Sequence, residues 1–299
     1  MADRPLPFPE FLKEEINRTK GVYYPVRAGF LRRILIKETA TKNLHPNPED
    51  EFCFPNIGPN YEIVSKYERQ FRQGAYSEIN KLGESTAAEP LMVQRARPDG
   101  YMLLNGHHRW GGAYKAGISR MRIKIVNLTQ EKDIKKMLQS SQSDKRVTLD
   151  LDEVVFRNPE DGCVEKPLPF PMNRHFKERI RLGVPALFRY LNDHSYDIWV
   201  YTSNYYSMEY IRYMFKHRGV RLTGIVTGTG RKGAKVGASV DLKKMMEDQY
   251  KSTIHIDNDL ILRTFSGSKE HDEVALSGAP ETWSREVLDA LQKMAQKDS

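Results

Sequence analysis

The 299-residue chain predicts an α/β protein in which a smaller α+β domain precedes a C-terminal doubly wound parallel sheet. Three observations point there. Apolar segments of strand and helix period alternate throughout residues 146–299, as in a parallel sheet with crossover helices. A polar run, Ser140-Ser141-Gln142-Ser143-Asp144, separates a domain at 1–140 from one at 146–299. Charge divides at the same place: residues 1–146 hold 25 Lys and Arg against 17 Asp and Glu, whereas residues 147–299 hold 22 of each. The whole formal excess of +8 therefore belongs to the first half, which suits contact with an anion such as a nucleotide or a polynucleotide. No run approaches the roughly 18 apolar residues of a membrane span, and the first residues lack the apolar core of a signal peptide. Cys53 and Cys163 lie far apart without metal-type spacing, so a reduced, cytoplasmic protein with no membrane partner is expected.

In the first half, Phe11, Leu12 and Ile16 sit at helical spacing within residues 1–20. Residues 29–37 read as a strand. Residues 45–59 carry Pro46, Pro48, Pro55 and Gly58-Pro59, which preclude sustained regular structure, and three consecutive acids, Glu49, Asp50 and Glu51. A loop of that length in a compact domain is often functional. Residues 61–82 have a helical pattern. A short strand at 89–96, a tight turn at Asp99-Gly100 and a returning strand at 101–104 follow. A helix runs to Gly117, residues 121–126 form another strand, and 129–145 read as a helix entering the linker.

The returning strand ends in Asn105-Gly106-His107-His108-Arg109, immediately before the helix. A helix N-terminus offers free N–H groups to an anion, Gly106 permits close backbone approach, and Arg109 can pair with phosphate in two places. The alternative is a histidine pair that packs and caps. Neither histidine has the spacing or the acidic companion of a zinc site. The segment from Glu89-Pro90-Leu91 to Val126, centred on this box, resembles the ParB/sulfiredoxin superfamily over about residues 30–128, closest to its free-serine-kinase and nucleotide-binding branch. The resemblance implies that Gly106, His107, His108 and Arg109 cradle the phosphates of ATP, ADP or another nucleotide. His107 stands where sulfiredoxins carry their reactive cysteine, so that chemistry is not expected.

The second half opens with Arg146-Val147-Thr148-Leu149-Asp150-Leu151-Asp152, a strand reaching two carboxylates that, at period two, lie on one side. Residues 157–178 contain Pro159, Pro167, Pro169 and Pro171 and form a loop or flap too short for a separate cap domain. Helices are expected at 184–192, from Met208 to near Arg218-Gly219, and at 240–250; strands are expected at 197–201, 222–227 and 253–256. Three strands end in polar residues: Asp150 with Asp152, Thr202 with Ser203, and Asp257 with Asp259. In a parallel sheet these ends share one edge. Carboxylates from two strands there make a hard oxygen site suited to Mg²⁺, and the hydroxyls can hold a phosphate oxygen. Gly228-Thr229-Gly230-Arg231-Lys232-Gly233 matches a dinucleotide pattern but does not open the first strand–helix unit, so a mobile loop is the better reading.

This order resembles the haloacid dehalogenase superfamily of phosphatases, with Asp150-Leu151-Asp152-Glu153-Val154 matching its first motif. The resemblance implies a Mg²⁺-dependent hydrolase with Asp150 as nucleophile, forming a phosphoaspartate. It makes Asp152 the general acid and base, Thr202 and Lys235 phosphate-side residues, and Asp150, Asp152 and Asp257 the metal ligands. Lys232 and Lys243 compete with Lys235 for the lysine role, and Asp257-Asn258-Asp259 departs from a plain acidic pair, leaving the part of Asp259 open. The expected substrate is a phosphorylated small molecule, a nucleotide or a nucleic-acid end. Two alternatives stand beside it. The first half could be a nucleotide-dependent kinase or nucleotide hydrolase, with Glu49, Asp50 and Glu51 opposite Arg109, or the whole chain could be a nucleic-acid-binding adapter.

Overall fold

The structure, a computed structural model, describes residues 6–74, 88–229 and 240–297. It divides between Asn127 and Leu128 into two compact units. Both are mixed α/β.

The first unit contains α1 (Phe8–Thr19), β1 (Tyr24–Pro25), α2 (Phe30–Leu35), β2 (Glu38–Ala40), β3 (Leu44–His45), α3 (Tyr61–Arg72), β4 (Leu91–Arg97), β5 (Tyr101–Asn105), α4 (His107–Lys115) and β6 (Arg120–Ile125). Its sheet runs β2-β6-β4-β5-β3, with β1 on the end of β4. β6 alternates exposed Arg120, Arg122 and Lys124 with buried Met121, Ile123 and Ile125. Such alternation means that one face packs on the core. That core is aromatic: Phe8 meets Phe52 and Trp110 edge-on at 6.4 and 6.1 Å between ring centres. Helices α3 and α4 cross closely at Gly112, where an added Cβ would stand 2.6 Å from Tyr67 Cβ and 2.8 Å from the Glu68 nitrogen. Backbone cannot yield there, so glycine is required.

Residues 30–35, expected as strand, are helical. Phe30 and Ile34, like Leu31 and Leu35, are four apart, and that helical stripe outweighs the β-branched, apolar character that suggested a strand. The stripe is exposed, with Leu35 at 72 %.

The second unit contains α5 (Glu131–Gln139), β7 (Lys145–Asp150), β8 (Phe156–Arg157), α6 (Met172–His175), β9 (Arg179–Ile180), α7 (Val184–Asp193), β10 (Asp197–Thr202), α8 (Met208–Lys216), β11 (Gly224–Thr227), α9 (Val240–Gln249), β12 (Ser252–Ile256), β13 (Leu260–Phe265), β14 (His271–Ala275) and α10 (Trp283–Lys297). The sheet order is β11-β10-β7-β12-β13-β14. The first four are mutually parallel, whereas β13 and β14 are antiparallel additions. The wholly parallel sheet expected from the sequence is therefore parallel on one side only. β8 and β9 form a separate ribbon within the flap. Trp199, Phe188, Phe215 and Trp283 are fully buried in the core of this unit. No helix among the described residues is long and apolar enough to cross a membrane.

Candidate functional site

β7 is first in sequence yet lies inside the sheet. The chain steps outward through β10 to β11, then returns to β12 on the other side of β7. The strand order thus reverses at β7, and a crevice for ligands opens at the carboxyl ends of its strands. Asp150 is the last residue of β7 and registers with Tyr201, one before Thr202. Leu149 registers with Ile256, one before Asp257. Three strand ends separated by up to a hundred residues of sequence therefore meet.

The chain does not continue as a strand beyond Asp150. It turns at once into a single wide helical turn, Leu151–Val155, so Asp150 and Asp152 are related by a turn and not by the period-two alternation expected. The turn is closed by Asp150 itself, whose Oδ1 accepts the N–H groups of Asp152 at 2.7 Å and Glu153 at 2.9 Å. Burial pushes the Asp150 carboxyl above its ordinary value. Those two N–H groups oppose the shift, while the charges of Asp152 and Asp257 add to it.

Asp152 faces the end of β10. Thr202 Oγ1 donates to both of its oxygens at 2.9 Å, Ser203 donates through N–H and hydroxyl at 2.8 Å each, and Asn204 Nδ2 donates at 2.8 Å. A carboxylate offers about four acceptor positions, so Asp152 is saturated. The hydroxyls of Thr202 and Ser203, expected to face a phosphate, are engaged with Asp152 in this arrangement.

Asp257 is exposed at the edge. Its carbonyl accepts the Trp283 indole N–H at 3.2 Å. Asn258, the residue that departs from the expected acidic pair, has a definite structural part. Its Oδ1 accepts from Arg181 at 2.7 Å and also from Arg157, and its Nδ2 donates to the Glu153 carbonyl at 3.3 Å. Arg181 is 2 % exposed and lies 4.3 Å over the Trp283 ring. Asn258 thus joins the loop after β12 to the turn after β7. Asp259 is exposed, and its carbonyl holds Leu276.

A cleft of about 360 Å³ leads from Asp150 and Asp257 along one face of the sheet, past Thr148 and His255 to Arg146. Arg146, Thr148 and Asp150 line it together because they alternate along β7. Thr148 Oγ1 lies 2.7 Å from His255 Nδ1. Sequence reasoning missed Arg146 and His255; the same alternation, carried back from Asp150, would have found Arg146. Of the candidate lysines, Lys232 and Lys235 lie outside the described residues, as does most of the Gly228–Gly233 pattern. Lys243 is turned to solvent beside Glu247, at 3.7 Å. Among the described residues no three His, Cys, Asp or Glu side chains form a ready metal cage.

The first unit's box is arranged differently. Gly106 caps α4 at φ 95°, where a Cβ would stand 2.5 Å from Leu91 Cδ2. His107 Nε2 accepts the Asn47 N–H at 3.3 Å and His108 Nε2 the Asn60 N–H at 3.0 Å, so both rings carry their proton on Nδ1. His107 Nδ1 lies 3.7 Å from Asp50. Burial pushes the His107 imidazole down to about 4, the Asp50 charge opposing and His108 assisting. Asp50 also caps the turn at Glu51–Cys53 by accepting the Phe52 N–H at 3.0 Å. Glu49 is exposed and Glu51 half-buried. Arg109 does not face these acids. It is 5 % exposed and paired to Glu89 at 2.8 Å, with a further bond to the Glu89 carbonyl.

No curated protein matches the chain. The family model of the ParB N-terminal domain matches residues 68–142. That span includes the whole Asn105–Arg109 box, and it supports the ParB/sulfiredoxin-like reading of the first unit.

Proposed function

We propose that the second unit is a phosphohydrolase of the haloacid dehalogenase type and that the first unit binds nucleotide or phosphate. The observation that carries this reading is Asp150, which ends the strand at the sheet's reversal point with its carboxylate seated on two N–H groups beside Asp152 and Asp257.

In this reading an Asp150 oxygen attacks phosphorus, the bond to the leaving oxygen breaks, and a phosphoaspartate forms. Asp152 gives a proton to the leaving oxygen and later takes one from the water that attacks phosphorus, as the bond from the Asp150 oxygen to phosphorus breaks, phosphate leaves and the carboxylate is restored. Because Asp152 is saturated, at least one donor among Thr202, Ser203 and Asn204 must release it before it meets a substrate oxygen. The donor set fits Mg²⁺: the side chains are hard oxygens, and Asp150 already feels the charges of Asp152 and Asp257. Mg²⁺ takes one or two carboxylates and keeps several waters, so it requires no closed cage. Asp150, Asp257 and the Asp152 backbone would hold it, and it would offset repulsion between carboxylate and phosphate.

The small flap leaves the edge open to bulky substrates, and the basic first half suits an anionic one. A phosphorylated nucleotide or nucleic-acid end meets both conditions. Phosphate release from nucleotides and from 5′- and 3′-phosphorylated oligonucleotides, with and without Mg²⁺, tests the reading. Release that is abolished in a folded Asp150→Asn variant is expected; undiminished release would refute it. The same screen on nucleoside triphosphates, run with Asp150→Asn, detects consumption by the first unit and so tests the bifunctional alternative.

A further inference from the structure

A second polar cavity, of about 200 Å³, lies between the flap and α8. Arg179 and Arg218 line it, with Asn173, Lys177 and Glu178 beside them and Phe176 as part of its apolar wall. Arg218 is fixed by donating from Nη2 to the Lys166 carbonyl at 3.0 Å. Its Nε, however, is buried and has no hydrogen-bond partner, and the same is true of Arg179 Nη1 and Asn173 Oδ1. The two guanidinium groups repel one another: burial holds Arg218 below its ordinary value, and the Arg179 charge pushes the same way. Two acids are near, but both have other work. Glu178 accepts the Tyr210 hydroxyl, and Glu165, which partly offsets the strain on Arg218, accepts the Gly183 N–H at 2.9 Å.

Buried N–H groups on mutually repelling cations are costly unless an acceptor meets them. A ligand that satisfies this cavity must bring negative charge and several acceptor oxygens for Arg179, Arg218 and the exposed Lys177. For Asn173 Oδ1 it must also bring a donor. A carboxylate supplies the first and lacks the second, whereas a hydrogenphosphate or a phosphate ester with a neighbouring hydroxyl supplies both. A tyrosine pair runs from the cavity's Glu178 toward the acidic edge. Tyr206 stacks on Tyr210, with rings 5.8 Å apart, and its hydroxyl is pushed up by burial and by the charges of both Glu178 and Asp152. We infer that the Arg179–Arg218 cavity is a second binding site for a phosphate-class oxyanion, separate from the Asp150 edge.

The occupant is either free phosphate or a non-reacting phosphate of a larger ligand. Titration of the full-length Asp150→Asn protein in EDTA, by calorimetry and by thermal shift, distinguishes the sources without any turnover. The probes are inorganic phosphate and a nucleoside 5′-diphosphate, and each is repeated in Asp150→Asn carrying Arg179→Gln. Arg218→Lys serves as a second variant that keeps charge and alters geometry. Saturable binding of inorganic phosphate weakened at least about tenfold by Arg179→Gln, with the ligand-free melting temperature not lowered, supports a free-anion site. The same loss seen only with the diphosphate supports a phosphate carried by a larger molecule. Binding of neither probe, or binding indifferent to both substitutions, overturns the inference. The phosphatase reading is untouched by such a failure, since neither measurement depends on Asp150.

Discussion

The two polar clusters that look like phosphate sites in the sequence differ in how their groups are partnered. In the first unit, His107 and His108 hold the backbone at Asn47 and Asn60, Asp50 faces His107, and Arg109 lies buried against Glu89. The ionic groups there are paired within the unit, and among the buried side-chain atoms of Asp50, His107, His108 and Arg109 only Arg109 Nε lacks a hydrogen-bond partner. At the edge of the second unit, Asp150 has two N–H groups on one oxygen and two further acids as neighbours. Like charges gathered beside a cleft destabilise the fold slightly and invite a cation. The contrast teaches that residue type locates polar clusters, whereas the balance of charge around them separates a box held by its own unit from an edge left acidic.

The sharpest way to break that contrast is Asp150→Asn. If the acidic edge is the reacting centre, turnover falls by at least about a thousandfold, on the order of 4 kcal/mol in the barrier, with the circular dichroism spectrum unchanged. A variant that keeps its activity would put both clusters in the same class.

Acid probes the histidine box. His107 has a depressed value in the folded unit, so the unfolded chain takes up its proton near pH 6.5 and the folded one only near 4. Stability is therefore full above pH 6.5 and declines through that window, by on the order of 3 kcal/mol. Thermal unfolding followed from pH 7 to pH 4.5 is expected to show the decline, and His107→Gln should flatten it. Equal slopes in the two proteins would mean that His107 is not the titrating group.

Arg109→Ala separates the two roles more directly. Losing the ion pair with Glu89, the bond to its carbonyl and the contact with the Tyr67 ring should lower the stability of the first unit by about 2 kcal/mol. A urea midpoint that does not move, together with loss of nucleotide binding, would mean that Arg109 serves the ligand alone.

The mildest test concerns Asn258. Asn258→Ala leaves Arg181 and Arg157 without their shared acceptor and should lower stability by about 1 to 2 kcal/mol. Asn258→Asp should restore most of that loss, since a carboxylate can accept the same two arginines. If both variants match the parent in denaturant melts, the link between the two loops carries no weight.

Much of the edge was legible because it rests on short-range pattern. A strand that ends in acids, a strand that ends in hydroxyls and their order along the chain need only the period of a strand and the geometry of a parallel sheet. The Asp99-Gly100 hairpin was legible for the same reason. What escaped depends on contacts distant in sequence. Asn258 reads as a lapse from an acidic pair until Arg157 and Arg181 are seen beside it. The edge strand His271–Ala275 carries little apolar alternation, because its alternate residues are exposed, and Leu260–Phe265 breaks its apolar run with Arg263 at a buried position. Phe30–Leu35 was read as part of a strand over 29–37, whereas the apolar pairs Phe30/Ile34 and Leu31/Leu35 have the four-residue spacing of a helix. Asp152 and Thr202 meet at the shared edge, but neither the saturation of Asp152 nor the turn that separates it from Asp150 has a signature along the chain.

Asn258 has one further consequence, for the way the edge opens. Its amide spans Glu153 on one loop and Arg157 with Arg181 on the flap, while Trp283 of the C-terminal helix holds Asp257 from behind. Segments from four places in the chain therefore share one fastening, and local opening of any one of them loosens the rest. Amides at Glu153, Asn258 and the start of α10 should exchange with solvent as a single cooperative group, with a common opening free energy. Fraying at the C-terminus would then reach the acidic edge as a change in how long Asp150 and Asp257 remain together.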